Sequence, residues 1–466
     1  MERSSLRRYG AAVSDGLSAS VARLVVGTLL VSALSCRQMP AAGPEPAGPP
    51  DEPYGVVLNP NRVSPEEGEY ARAAQMVKDL GLKWVRVHTE WRQVEPRRGE
   101  FHWEKYDTAV DDLHKAGINI LYQVSGIPQW ASDEARVSFE RKPGKMKTVD
   151  PEPRIPDFVQ FIVTLVKRYK DKVHYWQILN ETNARKNEIK PAQFAAIMKA
   201  VYAKAKEVDP TCKIVLGGLA GNNKECMHYL RKFLSAGGGD AFDIIDFHCY
   251  KFISRISVQL PERRKLLESF GIHKPIWIVE TSDPSDFKGD ANWAKLSKSP
   301  ESQGPWDLPE GPQTEETQAQ RLVKRLTLAR SVGVQRTFWY SFRARGDAPE
   351  DESDNIPLKT KGLVREDFSP KRAYFAFKCL VAKLGKVHYT QKLPAEKGVE
   401  AHLFSAGNHR VLVAWVWEGT APLSVKAAST ASVTDKMGKK LADLAPKDGL
   451  LTITVTEDPV YVEWDE

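Results

Sequence analysis

The chain has 466 residues, of which 42 % are hydrophobic and 27 % charged; that is ordinary globular usage and excludes a mostly disordered chain. Its 67 basic and 60 acidic residues leave a formal charge of +7, a mild bias with no basic run interleaved with a recognisable binding motif, so nucleic acid is not expected as a partner. The twelve Trp, fourteen Tyr and seventeen Phe are enough for a large core and for an aromatic-lined cleft as well.

The first predicted element is a leader. Arg3, Arg7 and Arg8 precede an apolar run from Leu24 to Leu34, the length of a signal-peptide core and too short for a membrane-spanning helix. Ala33-Leu34-Ser35-Cys36 resembles the bacterial lipobox, although that pattern usually has Leu at the position of Ala33. The resemblance implies lipidation at Cys36, hence a membrane partner through a lipid anchor. A plain cleaved signal is the alternative, and either reading expects an exported protein, anchored in the bacterial cell envelope or secreted. Residues 37–53 hold six Pro and two Gly in seventeen positions and read as a semi-rigid tether.

From residue 54 onward, short β-branched runs alternate with helical patterns. Eight strands are predicted, at Gly55–Leu58, Trp84–His88, Asn119–Val124, His174–Leu179, Lys213–Gly217, Asp243–His248, Ile276–Glu280 and Arg336–Ser341. Ser64-Pro65-Glu66-Glu67 reads as a capping box opening a helix that runs to Gly81. A second helix is expected from Lys105 to Gly117, and Thr314-Glu315-Glu316 opens another that ends at Gly333, with acids in the first turn. No GxGxxG follows the first strand, so a (β/α)8 barrel over residues 54–384 is favoured over an open doubly wound sheet. Beyond Leu384 the strands Val399–Ser405, Arg410–Trp417, Leu423–Ala427, Leu450–Val455 and Val460–Trp464 predict a small C-terminal β-sandwich over residues 385–466.

Reactive groups of such a barrel gather at the carboxyl ends of its strands. The fourth strand runs into Asn180-Glu181 and the seventh into Glu280-Thr281. A carboxylate directly after an apolar strand is costly unless it is paired or lies in a solvated cleft. Either Glu alone could be structural; two in one barrel point to acid–base or nucleophilic work. HExxH, GxxxxGK[ST] and CxxC patterns are absent, so neither a metal nor another cofactor is expected. A phosphate-binding aldolase would need a Gly-rich loop after the seventh or eighth strand and often a Schiff-base Lys, and neither stands at the predicted strand ends.

Asn-Glu after strand four with Glu after strand seven resembles the clan A glycoside hydrolases. The resemblance extends through Trp91-Arg92-Gln93-Val94-Glu95-Pro96, Gly99-Glu100-Phe101-His102-Trp103, Gly126-Ile127-Pro128-Gln129-Trp130-Ala131, Asp246-Phe247-His248-Cys249-Tyr250 and Phe338-Trp339-Tyr340. Within the clan the chain looks most like family 39, with family 5 as runner-up. The resemblance implies a carbohydrate substrate and a retaining two-glutamate mechanism. Glu181 would be the general acid/base, its pKa raised by burial and by Glu280, and Glu280 the nucleophile. It further implies that Asn180 donates to the sugar 2-hydroxyl, that Tyr250 and Arg86 attend the nucleophile, and that Trp339 floors the −1 subsite. His248 and Trp130 are candidates for substrate contact as well.

Trp103, Trp277 and Trp415 read as packing residues, whereas Trp130, Trp293 and Trp306 fall in predicted loops suited to stacking on sugar faces. Three long loops (132–156, 281–313 and 343–370) would shape the cleft. Arg136, Arg141, Lys142, Lys145 and Lys147 in the first of them leave open either an anionic glycan or ordinary solvated charge. A non-catalytic glycan-binding lipoprotein on the same barrel is the alternative function, and the presence of both glutamates in matching contexts argues against it.

Overall fold

A computed structural model describes residues 52–58, 68–133, 137–142, 145–149, 152–184, 189–221, 224–250, 253–285, 313–344 and 360–466. The expected leader with Cys36, the tether up to residue 51, the Ser64–Glu67 cap, Arg136, Trp293 and Trp306 lie outside the described residues, as do the side chains of Arg141, Lys142, Lys145 and Lys147.

Eight parallel strands carry the first part of the chain: β1 (Tyr54–Leu58), β2 (Trp84–Glu90), β3 (Asn119–Ser125), β4 (Tyr175–Ile178), β5 (Lys213–Val215), β6 (Ile245–His248), β7 (Ile276–Thr281) and β8 (Arg336–Trp339). Their order is β5-β4-β3-β2-β1-β8-β7-β6. Parallel bridges Val215↔Ile244 and Leu219↔Phe247 join the two ends and close the barrel. Helices α1 (Glu69–Asp79), α2 (Glu104–Lys115), α3 (Ile155–Tyr169), α4 (Pro191–Val208), α5 (Lys224–Ser235), α6 (Ile256–Glu268), α7 (Glu315–Ser331) and α8 (Arg372–Leu384) follow the successive strands. Thr314 caps α7 as the sequence predicts, its side chain accepting from the Thr317 backbone N–H. The loop after β3 carries a hairpin, Val137–Lys142 paired with Lys145–Val149, that the sequence reading does not anticipate.

Strand alternation sorts the barrel into two cores. Val85, Val87, Ile120, Tyr122, Ile278 and Trp339 face the helices. Val57, Trp84, Leu121, Val215, Trp277 and Phe338 fill the interior. That interior is tight: a Cβ on Gly55 would stand 2.6 Å from the Phe338 ring and 2.9 Å from the Trp84 carbonyl oxygen, so only glycine fits there. At the foot of the barrel the Arg336 guanidinium lies 3.8 Å from the Trp84 ring centroid and 4.6 Å from that of Trp277. Above this plug, Arg86, Gln123, Gln177 and His248 are buried polar side chains toward the carboxyl ends of the strands.

The C-terminal strands are β9 (His388–Lys392), β10 (Val399–Ala406), β11 (His409–Val416), β12 (Thr420–Lys426), β13 (Ala431–Asp435), β14 (Lys440–Leu444), β15 (Leu450–Thr456) and β16 (Val460–Asp465). Six form an antiparallel sheet in the order β9-β10-β11-β16-β13-β14, and β12 pairs with β15. Leu412, Ala414 and Val462 of the large sheet share a core with Leu423, Val425, Leu451 and Val455 of the pair, which makes a sandwich. The opposite face of the large sheet, Val411, Val413, Trp415 and Tyr461, joins the core of the barrel helices. Lys436 Nζ reinforces this contact, at 2.5 Å from Glu316 Oε1 on α7 and 2.7 Å from Asp458 Oδ1. Among the described residues no helix is long and apolar enough to cross a membrane.

Candidate active site

Several polar groups at the upper end of the barrel interior come from strand positions whose inward parity can be counted. On β2 the inward residues are Trp84, Arg86 and His88; on β6 they are Asp246 and His248. Arg86 is 1 % exposed and satisfies its guanidinium in three directions: Nε donates to Gln177 Oε1 at 2.6 Å, Nη1 to Glu280 Oε1 at 2.6 Å and Nη2 to Asn180 Oδ1 at 2.8 Å. A buried cation is tolerated when paired and fully hydrogen-bonded in this way.

Glu280 reaches the interior through a local irregularity. Simple alternation on β7 would put Trp277 and Val279 inside and Glu280 outside. The register with β6 shifts between Phe247↔Ile278 and His248↔Glu280, and that with β8 shifts over the same stretch. The bulge turns Glu280 to the same side as Val279, a re-aiming that bulges commonly perform beside active sites. The Tyr250 hydroxyl donates to Glu280 Oε2, and His248 Nδ1 lies 3.4 Å from the same oxygen. Burial pushes the Glu280 carboxyl up, as does the charge of Glu181. His248, Arg86 and the Tyr250 hydrogen bond outweigh them and hold it below the ordinary carboxylate range. Burial and the Glu280 charge hold Tyr250 well above the usual phenol value, so it remains a donor.

Glu181 stands at the end of β4 on strained backbone. Leu179 and Glu181 both adopt left-handed conformations, with φ of 65° and 51°, at a cost of roughly 1–3 kcal/mol each for residues with a Cβ. Gln123 Nε2 donates to the Leu179 carbonyl at 3.2 Å, and the Glu181 N–H donates to the Gly217 carbonyl at 2.8 Å. The kink directs the carboxyl toward His248, whose Nδ1 lies 2.8 Å from Glu181 Oε1. Oxygens of Glu181 and Glu280 and a nitrogen of His248 all lie within 4.8 Å of one another. Three such groups could ligate a cation; Arg86, 2.6 Å from Glu280, sets a fixed positive charge against one.

The structure thus gathers Glu181, Glu280, Asn180, Arg86, His248 and Tyr250 at one point. Trp339 is a correction. It is fully buried, faces the helices with the outward residues of β8, and donates from Nε1 to the Lys361 carbonyl at 3.3 Å. Alternation from Phe338 brings Tyr340 inward instead, its ring 6.1 Å from that of Tyr250. Trp130 packs edge-on against Trp91 at 5.4 Å, donates to the Glu95 carbonyl and carries Arg98 over its ring.

Asp246 adds a further buried acid to the site. Fully buried on β6, it accepts from the Gly218 N–H at 3.0 Å, and burial pushes its carboxyl up to about 7. Asp246 Oδ2, His248 Nε2 and Gln177 Nε2 have no hydrogen-bond partner among the described residues. Gly218, with φ of 57°, keeps room beside them: a Cβ there would sit 2.5 Å from His248 Nε2 and 2.8 Å from Gln177 Nε2. Its signal in the sequence is only its inward parity with His248, two residues on.

Two family models match this chain: that of the family 42 β-galactosidases over residues 57–210, and that of a glycosyl hydrolase catalytic core over residues 156–355. The chain carries a glycosyl hydrolase catalytic core. Over 115 residues it is 32 % identical to the aryl-phospho-β-D-glucosidase of Bacillus subtilis (23 % of this chain, 22 % of that enzyme). Over 95 residues it is 30 % identical to an endo-1,4-β-xylanase of Halalkalibacterium halodurans (19 % and 24 %). The matches therefore span less than a quarter of those two relatives. Among solved structures it resembles a family 39 glycoside hydrolase of Bacteroides cellulosilyticus, with a TM-score of 0.67 at 20 % identity over 89 % of this chain and 81 % of that one. It also resembles a family 39 β-xylosidase of Caulobacter crescentus, with a TM-score of 0.60 at 16 % identity over 90 % and 98 %. At these identities the likeness is one of fold, and it spans the catalytic core together with the C-terminal β domain.

Proposed function

We propose that the protein is a retaining β-glycosidase that cleaves O-glycosidic bonds of oligo- or polysaccharides by double displacement. The carrying observation is that oxygens of Glu181 and Glu280 lie within 4.8 Å of each other. That closeness supports the roughly 5–5.5 Å separation of retaining enzymes over the about 6.5–9.5 Å of inverting ones, which place a water between their carboxylates.

Glu280, held ionised by Arg86, His248 and Tyr250, attacks the anomeric carbon as the glycosidic oxygen takes the Glu181 proton and leaves. The bond broken is that between the anomeric carbon and the leaving oxygen; the bond formed is an ester to Glu280. In the second half, Glu181 takes a proton from water, the water oxygen attacks the anomeric carbon, and the ester to Glu280 breaks. The mutual repulsion of the two carboxylates favours having one of them protonated in the resting site. Asn180 Oδ1 accepts from Arg86, which makes Nδ2 its donor end toward a sugar hydroxyl. The aryl-phospho-β-D-glucosidase and endo-1,4-β-xylanase relatives support a β-linked substrate.

The proposal extends to export and attachment to the cell envelope through a lipid on Cys36, supported by the signal-like leader and the tether that follows it. Membrane fractionation of the wild type against Cys36→Ser tests that part. For the chemistry, Glu280→Ala and Glu181→Ala are each expected to lose turnover of aryl β-glycosides by several orders of magnitude while staying folded by circular dichroism. Full activity in either variant overturns the reading.

A further inference from the structure

The Tyr250 hydroxyl that donates to Glu280 sits beyond the end of β6, on a backbone that the barrel ladder alone does not hold. Its preceding peptide is clamped to β7: the Cys249 N–H donates to the Glu280 carbonyl at 2.9 Å, and Thr281 Oγ1 donates to the Cys249 carbonyl at 2.6 Å. A second clamp comes from α7. Arg325 Nη1 donates to the Cys249 carbonyl at 3.2 Å, and Nη2 donates to the Tyr250 carbonyl. The guanidinium is itself fixed, because Nε and Nη2 both donate to the Asp283 carboxylate, the latter at 3.1 Å.

We propose that Arg325, anchored on Asp283, is a positioning residue for Glu280: it fixes the carbonyls of Cys249 and Tyr250 and thereby holds the Tyr250 hydroxyl against the nucleophile. This rests on the assignment of Glu280 as nucleophile. The chemistry suits arginine alone, since a planar fork can serve two carbonyls and a carboxylate at once, whereas an ammonium is a single point charge. Burial supports the reading too. Arg325, Asp283 and Arg321 are 1 %, 2 % and 4 % exposed, and ions at that depth are expensive unless each hydrogen bond is made. Burial raises the Asp283 carboxyl, but Arg321 and Arg325 hold it below the ordinary range, so the anchor is a carboxylate. Arg321 Nε also donates to Asp283 Oδ1 at 2.7 Å, so removal of Arg325 still leaves the buried acid with a cationic partner.

The test is a double-substitution cycle in the full chain, with an aryl β-glycoside as probe. Arg325→Met is expected to lower kcat by about 10-fold with KM nearly unchanged, and to move the acidic limb of the kcat/KM pH profile upward as the Tyr250 bond to Glu280 loosens. Tyr250→Phe should do the same, and the double variant should be no worse than Tyr250→Phe alone. Arg325→Lys keeps a charge on Asp283 and carries the same cycle if the Met variant fails to fold; it should match the Met variant in kcat. Multiplicative losses in the double variant, or an Arg325→Lys enzyme with wild-type kcat and pH profile, overturn the proposal. Failure of the nucleophile assignment reads differently: Glu280→Ala retains turnover and Tyr250→Phe leaves the acidic limb in place, whatever Arg325 does.

Discussion

Asp246 tests the electrostatics of the barrel interior without touching the reacting groups. Its carboxyl is pushed from an ordinary 3.8 up to about 7, chiefly by burial, against the Gly218 hydrogen bond and the charges of His248 and Arg86. A folded-state value above the unfolded one means that the native protein binds a proton the unfolded chain has released. Stability from this group is therefore full below about pH 4 and is lost as pH rises toward 7, at about 1.4 kcal/mol per unit. Across that window the loss sums to about 4 kcal/mol, set against roughly 5–15 kcal/mol of total stability for a typical domain. Asn is isosteric with the protonated acid and can still accept from the Gly218 N–H, yet it does not titrate. Urea denaturation of wild type and Asp246→Asn at intervals from pH 4 to pH 8 should show the two matching at the acid end. The variant should gain steadily up to neutrality, and the gap should be constant beyond it. Curves that stay parallel over the whole range would refute the reasoning, since they would mean that Asp246 ionises alike in the folded and unfolded chain.

Two further outcomes follow from the same geometry. Arg86→Met removes a charge that holds Glu280 down, so the acidic limb of kcat/KM should move to higher pH and kcat should fall by more than about 100-fold, as for other preorganised electrostatic partners; a pH–rate series reads both. Gly218→Ala forces a Cβ to 2.5 Å from His248 Nε2 on left-handed backbone, and should cost roughly 1–3 kcal/mol in chemical denaturation together with a loss of turnover from the displaced imidazole.

The barrel was legible because its signals are local. Apolar runs ending in Asn180-Glu181 and in Glu280 mark the strand ends, and Thr314 marks the start of α7. The placement of Trp339 was not, because neighbouring residues of a strand point to opposite faces and one position decides whether an indole meets sugar or helix. The bulge on β7 was equally hidden: it reverses the side to which Glu280 points and depends on pairing with strands far along the chain. Asp283 and Arg325 are separated by 42 residues and become a pair only once β7 and α7 pack. The polar edge strands β9 and β14 lack the apolar alternation that marks a half-buried strand. The sharing of one core by the barrel helices and the C-terminal sheet is a tertiary fact that the strand pattern of Val411–Trp415 admits without requiring.

The stereochemistry of the first-formed product tests the central claim most directly, because the carboxylate spacing predicts it. Proton NMR of a β-glycoside digest, followed from the first seconds before mutarotation, should show the β-anomer of the released sugar appearing first, as two successive inversions at the anomeric carbon require. Initial release of the α-anomer would contradict the account, since a single displacement by water needs a wider gap than the one between Glu181 and Glu280.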